Sequence, residues 1–210
     1  MRALGVTQAL GVWVTALALL GAAAPVVPEC ESHPTGAQLC LYRSLAPSAG
    51  LVSSCRGSAD CRVGSYYGDP AAASWFTPPP GLLTLPKPAV FWLAATLAQV
   101  RVDCGPTCSW SYFFEVRRRR LSEPRAGVLA VDAQRLLVAV AEGRVLSVVQ
   151  IFSGRSVARI ERDWAPTPWL GDAIPRLSFD PDGRLSFTWL RGPERAPVSE
   201  RVSIPSVPRP

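Results

Sequence analysis

The stretch of sequence that decides the fold is AQVRVDCGPTCSWSYFFEV, residues 98–116. On both sides of its central Gly-Pro-Thr, apolar residues recur at every second position, first up to Cys104 and then from Cys108 onward. Successive side chains of a strand point to opposite faces, so a period of two predicts strands with one apolar face. We therefore predict an antiparallel hairpin with a three-residue turn, in which Cys104 and Cys108 lie on the apolar face and bridge the two strands.

The strand pattern continues toward the C-terminus, where short apolar runs are separated by turn residues. The residues DPDG at 180–183 have the order of a type I turn closed by a glycine bulge. The segment 89–96 fits a helix or a buried strand equally well. Two runs, 136–141 and 145–152, are apolar on both faces, which predicts central strands covered on two sides. The predicted strands cover 128–131, 135–141, 144–152, 156–162, 176–180, 184–190 and 198–204.

These patterns predict a mainly β fold, an antiparallel meander that forms a sandwich or barrel-like domain over residues 89–205 and ends in a tail, 206–210. The phrase SFDPDGRL, residues 178–185, resembles the hairpins of β-propeller blades. Each propeller blade of roughly 40–45 residues would repeat such a signature. No second copy of the phrase occurs in the sequence, so we do not expect a complete propeller.

Residues 25–88 differ in composition from the rest of the chain. They contain four of the six cysteines and many Pro, Ser, Ala and Gly residues, and no period of 2 or 3.6 extends over more than a few positions. We predict an irregular, disulfide-clipped segment that precedes the β domain. It ends in a polyproline-type linker at 78–80.

The N-terminus has the parts of a secretory signal peptide. Arg2 precedes an apolar run at 9–20 and then small residues, so we assign residues 1–24 to a signal peptide. An uncleaved anchor is the alternative, since the whole apolar stretch is long enough to span a bilayer. Lipidation of Cys30 is a third reading, which Glu29 disfavours because such processing requires a small residue there. We expect a periplasmic or secreted protein that contacts a membrane only through such an anchor.

The six cysteines support export. All of them follow the predicted cleavage site, and an even set of cysteines in an exported chain indicates disulfides. Their spacing favours bridges between neighbours, each stabilising the fold by roughly 2–3 kcal/mol. The pairs that the spacing favours are Cys30 with Cys40, Cys55 with Cys61, and Cys104 with Cys108.

Charge and aromatic residues indicate where a partner binds. The net charge is +6, and all basic residues except Lys87 are arginines. Loop-like surroundings make Trp164 and Trp169 candidate anchors for a partner. A run of four arginines is a candidate contact for an anionic component of the envelope. It lacks the interleaved aromatics of nucleic-acid binding, so we expect no nucleic acid. The run consists of Arg117, Arg118, Arg119 and Arg120.

Catalytic and metal-binding constellations are poorly represented. The chain has one histidine, His33, and no Gly-x-Ser-x-Gly motif. The sequence Cys-Gly-Pro-Thr-Cys at 104–108 resembles the thioredoxin-family motif with one residue inserted, which implies thiol–disulfide chemistry. It lies between two strand patterns, whereas that chemistry requires a helix N-terminus. We expect no metal and no cofactor.

Together these features favour a non-enzymatic binding or interaction protein of the bacterial envelope, whose partner is an unknown protein or an anionic envelope component. One alternative is a thiol–disulfide or copper-handling protein that uses Cys104 and Cys108. The other is a hydrolase of unknown class, which would require a concave site with perturbed carboxylates.

Overall fold

The chain is described by a computed structural model, which covers residues 24–33, 36–44, 48–105 and 108–206. The predicted leader, up to residue 23, and tail residues 207–210 lie outside the described residues. The described residues form four antiparallel sheets, each built from strands that follow one another in sequence. The mainly β, antiparallel fold is thus confirmed, and no sheet closes into a barrel. The described helical segments are two 3-10 turns, Pro70–Ala72 and Leu170–Ala173.

The first sheet corrects the prediction that residues 25–88 are irregular, because this segment contains five strands that form one antiparallel sheet. The period of two is hidden because glycines replace apolar residues. Gly50 lies under the Tyr66 ring and Gly64 under the Trp75 ring, so a neighbouring strand supplies the apolar cover. The strands are β1 (Glu29–Ser32), β2 (Gln38–Arg43), β3 (Ala49–Arg56), β4 (Asp60–Tyr67) and β5 (Ser74–Trp75).

The second sheet contains the predicted hairpin. Its register pairs Val100 with Tyr112 and Val102 with Trp110, so the apolar residues share one face. Pairing continues to Gly105 and Cys108, so Gly105, which was predicted as a turn residue, belongs to the strand; the two residues between them lie outside the described residues. The segment 89–96, which fitted a helix or a strand equally well, contains the strand Ala89–Ala94. The strands are β6 (Ala89–Ala94), β7 (Leu97–Gly105), β8 (Cys108–Glu115), β9 (Arg120–Leu121) and β10 (Arg125–Ala126).

The third and fourth sheets follow the predicted strands closely. The turn at 180–183 closes as its sequence predicts: the Gly183 amide donates to the Asp180 carbonyl at 2.9 Å, and Gly183 has a φ of 85°. The third sheet contains β11 (Val128–Asp132), β12 (Leu137–Glu142), β13 (Val145–Gln150) and β14 (Ser156–Ile160). The fourth contains β15 (Arg176–Phe179), β16 (Arg184–Arg191) and β17 (Ala196–Ser203).

The core consists of three hydrophobic clusters that join the sheets face to face in chain order. Leu51 and Val100 belong to the cluster between the first and second sheets. Val138 packs toward the second sheet and its neighbour Leu137 toward the fourth. The two runs that are apolar on both faces are therefore covered on two sides, as predicted. Neighbouring sheets form sandwiches, and no cluster of the described residues joins the fourth sheet to the first.

Disulfides connect adjacent strands, and they join the neighbours that the spacing favours. In the first sheet each bridge links directly paired residues, with Cα–Cα distances of 4.1 and 4.0 Å, so each reinforces an existing strand pair. The third bridge joins β7 and β8 at the end of the hairpin where the two strands are connected, which we call the hairpin mouth, with a Cα–Cα distance of 5.0 Å. The bridges are Cys30–Cys40, Cys55–Cys61 and Cys104–Cys108, and no cysteine is free.

Candidate binding groove

The segment 163–175 connects the third sheet to the fourth and contains both tryptophans predicted as anchors. Trp164 is 2% exposed, and its ring packs edge-on against Trp189 with the ring centroids 5.2 Å apart. Its indole Nε1 donates to the Arg144 carbonyl at 2.8 Å. Trp164 therefore covers the edge of the core instead of facing a partner, which corrects the prediction. Proline-rich flanks gave it a loop-like context although its side chain fills the core.

Trp169 is half-buried and remains accessible at the surface. Leu170, which follows it, is buried in the core and anchors the 3-10 turn. On the N-terminal side of Trp169, the Thr167 hydroxyl donates to the Trp169 carbonyl at 2.8 Å and holds the backbone there. The indole ring lies directly over Gly171, where a Cβ would collide with it. The orientation of this ring is thus set before any partner binds.

Trp169 forms one wall of a groove of about 460 Å³ between the hairpin mouth of the second sheet and the edge of the third. Arg101, Asp103 and Ser109 lie on the face of the hairpin opposite to the Trp110 side chain, whose ring packs against the first core cluster. The residues that line the groove are Arg101, Asp103, Gly105, Cys108, Ser109, Trp110, Ala126, Gly127, Val128, Ala141 and Trp169.

Gly127 forms the junction between the two sheets that border the groove. Its amide approaches the Ser109 carbonyl at 3.4 Å, and its carbonyl accepts from the Ala141 amide at 2.9 Å. Its φ of 65° lies in the left-handed region, and a Cβ there would lie 2.7 Å from the Ala141 oxygen. Only glycine fits this backbone without strain, so Gly127 links the two sheets and lines the groove without a side chain.

The charges that line the groove balance each other. Arg101 donates two hydrogen bonds to the Asp103 carboxylate, at 3.0 and 3.1 Å, and both side chains are about half exposed. Among the described residues that line the groove, Asp103 is the one carboxylate. The pair therefore offers donors and acceptors at the rim without a net charge.

The arginine run lies at the opposite end of β8 from the groove, so the structure does not bring it together with Trp169. Arg119 stacks over the Tyr67 ring at 4.4 Å, and Arg120 over the Phe152 ring at 4.2 Å. Glu115 lies 3.9 Å from Arg118 and 3.5 Å from Arg120. Two of the four guanidinium groups are therefore held against the protein's own rings.

Carboxylates with shifted pKa values lie on the fourth sheet, away from the groove. Hydrogen bonds from Ser186 and Arg201 lower the pKa of Asp180. Arg162 lowers the pKa of Glu200, which also accepts from the Trp189 indole at 3.2 Å. Both carboxylates are bound to arginines and remain charged near neutral pH. They stabilise the sheet and do not have the raised pKa of a general acid.

Sequence reasoning found Trp169 and the cysteine pair of the groove, but it missed Arg101 and Asp103. These two occupy outward positions of β7, where any soluble strand carries polar residues, so the pattern held no signal for them. The Cys104–Cys108 bridge lies between two strands, as the hairpin predicts. In the described part of the chain, no group of three or more His, Cys, Asp or Glu side chains could hold a metal ion.

Comparison of the chain with family models, with curated proteins and with solved structures finds no match. Within the described residues, no helix has the length and hydrophobicity needed to cross a membrane. The functional argument therefore rests on the site itself.

Proposed function

We propose that this chain is an exported binding protein of the bacterial envelope and that its partner occupies the groove beside Trp169. The three disulfides indicate an oxidising compartment outside the cytoplasm. The predicted leader at 1–24 supports export to the periplasm or beyond. N-terminal sequencing of the mature protein tests this part, and a start at residue 24 or 25 is the expected result. A retained leader would support the anchored alternative instead.

The observation that carries the binding proposal is the fixed orientation of Trp169. An aromatic ring that is held half-buried at a groove loses little conformational freedom when a partner stacks on it. The groove volume of about 460 Å³ falls within the range of roughly 300–1,000 Å³ that is usual for ligand sites. These features support recognition more than catalysis, because the described lining supplies one carboxylate and Arg101 already binds it.

Retention of envelope components on the immobilised protein tests the proposal. Trp169→Ala removes the aromatic wall, and Trp75→Ala is the matched control, since Trp75 is 38% exposed on the first sheet, away from the groove. We expect a component that wild type and the Trp75→Ala variant retain and the Trp169→Ala variant loses. Equal retention by all three proteins, with unchanged circular dichroism, would refute the groove as the binding site.

The arginine run supports a second contact, to an anionic envelope component. Arg117 and Arg118 are exposed and lie in the turn, residues 116–119, that follows β8. An exposed cationic pair attracts anionic surfaces, and salt screens this attraction. The run lies away from the groove, so the two contacts are separable by mutation.

A further inference from the structure

We infer that the groove binds a neutral saccharide chain, an inference that rests on the proposed function and names the class of its ligand. The aromatic wall gives the first reason. Trp169 lines the groove together with Val128 and Ala141, so part of the lining is apolar. The face of an aromatic ring carries partial negative charge and attracts polarised C–H groups. A pyranose ring presents such C–H groups on one of its faces and stacks on an indole.

The polar residues of the lining supply the second reason. Arg101, Asp103 and Ser109 place a cation, an anion and a hydroxyl on one face of the hairpin. Sugar hydroxyls both donate and accept hydrogen bonds, so a pair of neighbouring hydroxyls can bridge a guanidinium and a carboxylate that already bind each other. A ligand with one apolar face and a hydroxylated edge therefore matches both the apolar and the polar residues of the lining.

Charge and shape argue against the competing ligands. An anionic polymer would gain no net attraction, since Asp103 cancels the charge of Arg101. A peptide bound as an added strand requires pockets for alternate side chains. Gly105, Ala126 and Gly127, which line the groove, have no side chain large enough to form such pockets. The groove lies at the surface and is not enclosed, which suits a segment of a chain more than a fully buried small molecule.

The test is an NMR titration of the full disulfide-bonded protein with its tryptophan indoles labelled with nitrogen-15. Trp169→Phe identifies the Trp169 resonance by its loss. The probes are chitotetraose for amino-sugar chains, maltohexaose and cellohexaose for glucose chains, and hexaproline for peptides. We expect one of the saccharides to shift the Trp169 resonance in a saturable way and hexaproline to leave it unchanged. The saccharide that binds distinguishes an amino-sugar strand from a glucan.

Two variants connect the shift to the groove. Because Trp169→Ala removes the reporter resonance, isothermal titration calorimetry measures the variants, and Trp169→Ala should weaken saccharide binding roughly tenfold or more, as truncation of an aromatic anchor usually does. Asp103→Asn should weaken it several-fold, while Asp182→Asn, which changes another exposed arginine-paired aspartate, leaves it unchanged. Binding that none of these variants alters would overturn the assignment.

The outcomes separate this inference from the proposed function. If hexaproline alone shifts the Trp169 resonance, the groove is a binding site and the saccharide assignment is wrong. If no probe shifts it while envelope retention still depends on Trp169, the saccharide assignment again fails and the proposed function stands. If retention is also independent of Trp169, both are wrong.

Discussion

Trp164 and Arg144 are joined by reciprocal hydrogen bonds. The Trp164 indole donates to the Arg144 carbonyl at 2.8 Å, and the Arg144 guanidinium donates to the Trp164 carbonyl at 2.5 Å and to the Ala165 carbonyl at 3.0 Å. This clamp holds the start of the 163–175 segment against the third sheet. Because Trp169 lies on the same short segment, the clamp also positions the wall of the groove.

The clamp should contribute measurably to stability. Arg144→Met keeps the aliphatic stem but leaves the buried carbonyls of Trp164 and Ala165 without a donor, which should cost about 1–3 kcal/mol of unfolding free energy. Urea denaturation measures this loss. Arg159→Met is the matched control, since its exposed ion pair with Glu161 should contribute less than ~1 kcal/mol. Equal stability of the two variants would contradict the importance of the clamp.

Glycine should be required at position 171 because a side chain there would collide with the Trp169 ring, and not because the backbone of Gly171 has a conformation that other residues avoid. Gly171→Ala places a methyl group where the indole ring lies, so the ring must move out of the groove wall. We expect a shifted Trp169 indole resonance and loss of Trp169-dependent retention, with less than ~1 kcal/mol change in stability because the site is at the surface. Asp172→Ala changes the neighbouring exposed residue and should leave both readouts unaltered. An unmoved resonance in Gly171→Ala would refute the idea.

The fold could be predicted from sequence wherever one face of a strand is buried and the other exposed. The hairpin at 98–116 shows this alternation, and its register follows from it. Burial alternates over the six residues of β2, but β3 is buried on both faces at successive positions, and aromatic rings from neighbouring strands cover Gly50 and Gly64, so no longer period was visible in residues 25–88. When the apolar side chains that bury a strand position belong to a neighbouring strand, the strand's own sequence does not show an apolar residue at that position.

The site was less predictable than the fold, since three distant segments build it. Trp164 and Trp169 have the same proline-rich context, yet one is core and the other lines the groove. What separates them is a clamp from Arg144, 20 residues away in sequence, which no local pattern reveals. Asp103 lines the groove together with residues of the third sheet because Gly127 hydrogen-bonds to Ser109 on one sheet and to Ala141 on the other. This contact between distant segments is also invisible in a local pattern.

The groove should depend on the disulfide at its edge. Replacing Cys104 and Cys108 by serine should cost about 2 kcal/mol, as expected for a short closed loop, and should also weaken Trp169-dependent binding, because the hairpin mouth that lines the groove is released. Replacing Cys30 and Cys40 by serine is the control: it should cost slightly more, about 3 kcal/mol for its longer loop, and leave binding unchanged. Denaturation curves and retention assays measure the two effects separately.

The thiol–disulfide alternative predicts a different result for the same bridge. A structural bridge should have a reduction potential below about −300 mV, whereas catalytic oxidoreductases range from about −270 to about −120 mV. Equilibration with glutathione and thioredoxin couples measures the potential. A value in the catalytic range would favour the alternative over the binding protein.

The arginine run should divide into two functional pairs. Arg117→Ala with Arg118→Ala should lower the salt concentration at which the protein leaves anionic phosphatidylglycerol vesicles, because it removes the exposed charge. Arg119→Ala with Arg120→Ala should instead lower stability by roughly 1–2 kcal/mol, since those guanidinium groups stack on Tyr67 and Phe152. Vesicle sedimentation at several salt concentrations and urea denaturation measure the two effects. Vesicle binding that does not change with salt would exclude the run as a contact.

The fourth sheet should make the protein sensitive to acid. The pKa values of Asp180 and Glu200 are lower in the folded protein than their ordinary values, so the folded state binds these protons more weakly than the unfolded chain. Their contribution to stability is therefore complete above about pH 4–5, the ordinary range of carboxyl pKa values, and disappears as the pH falls through the lowered folded values. Asp180→Asn removes one of these groups, so its melting temperature should fall less steeply than that of wild type between pH 5 and pH 3. Asp172→Asn, an aspartate outside this arginine network, should follow the wild-type curve; if Asp180→Asn does so too, the Ser186 and Arg201 contacts do not stabilise the charged carboxylate.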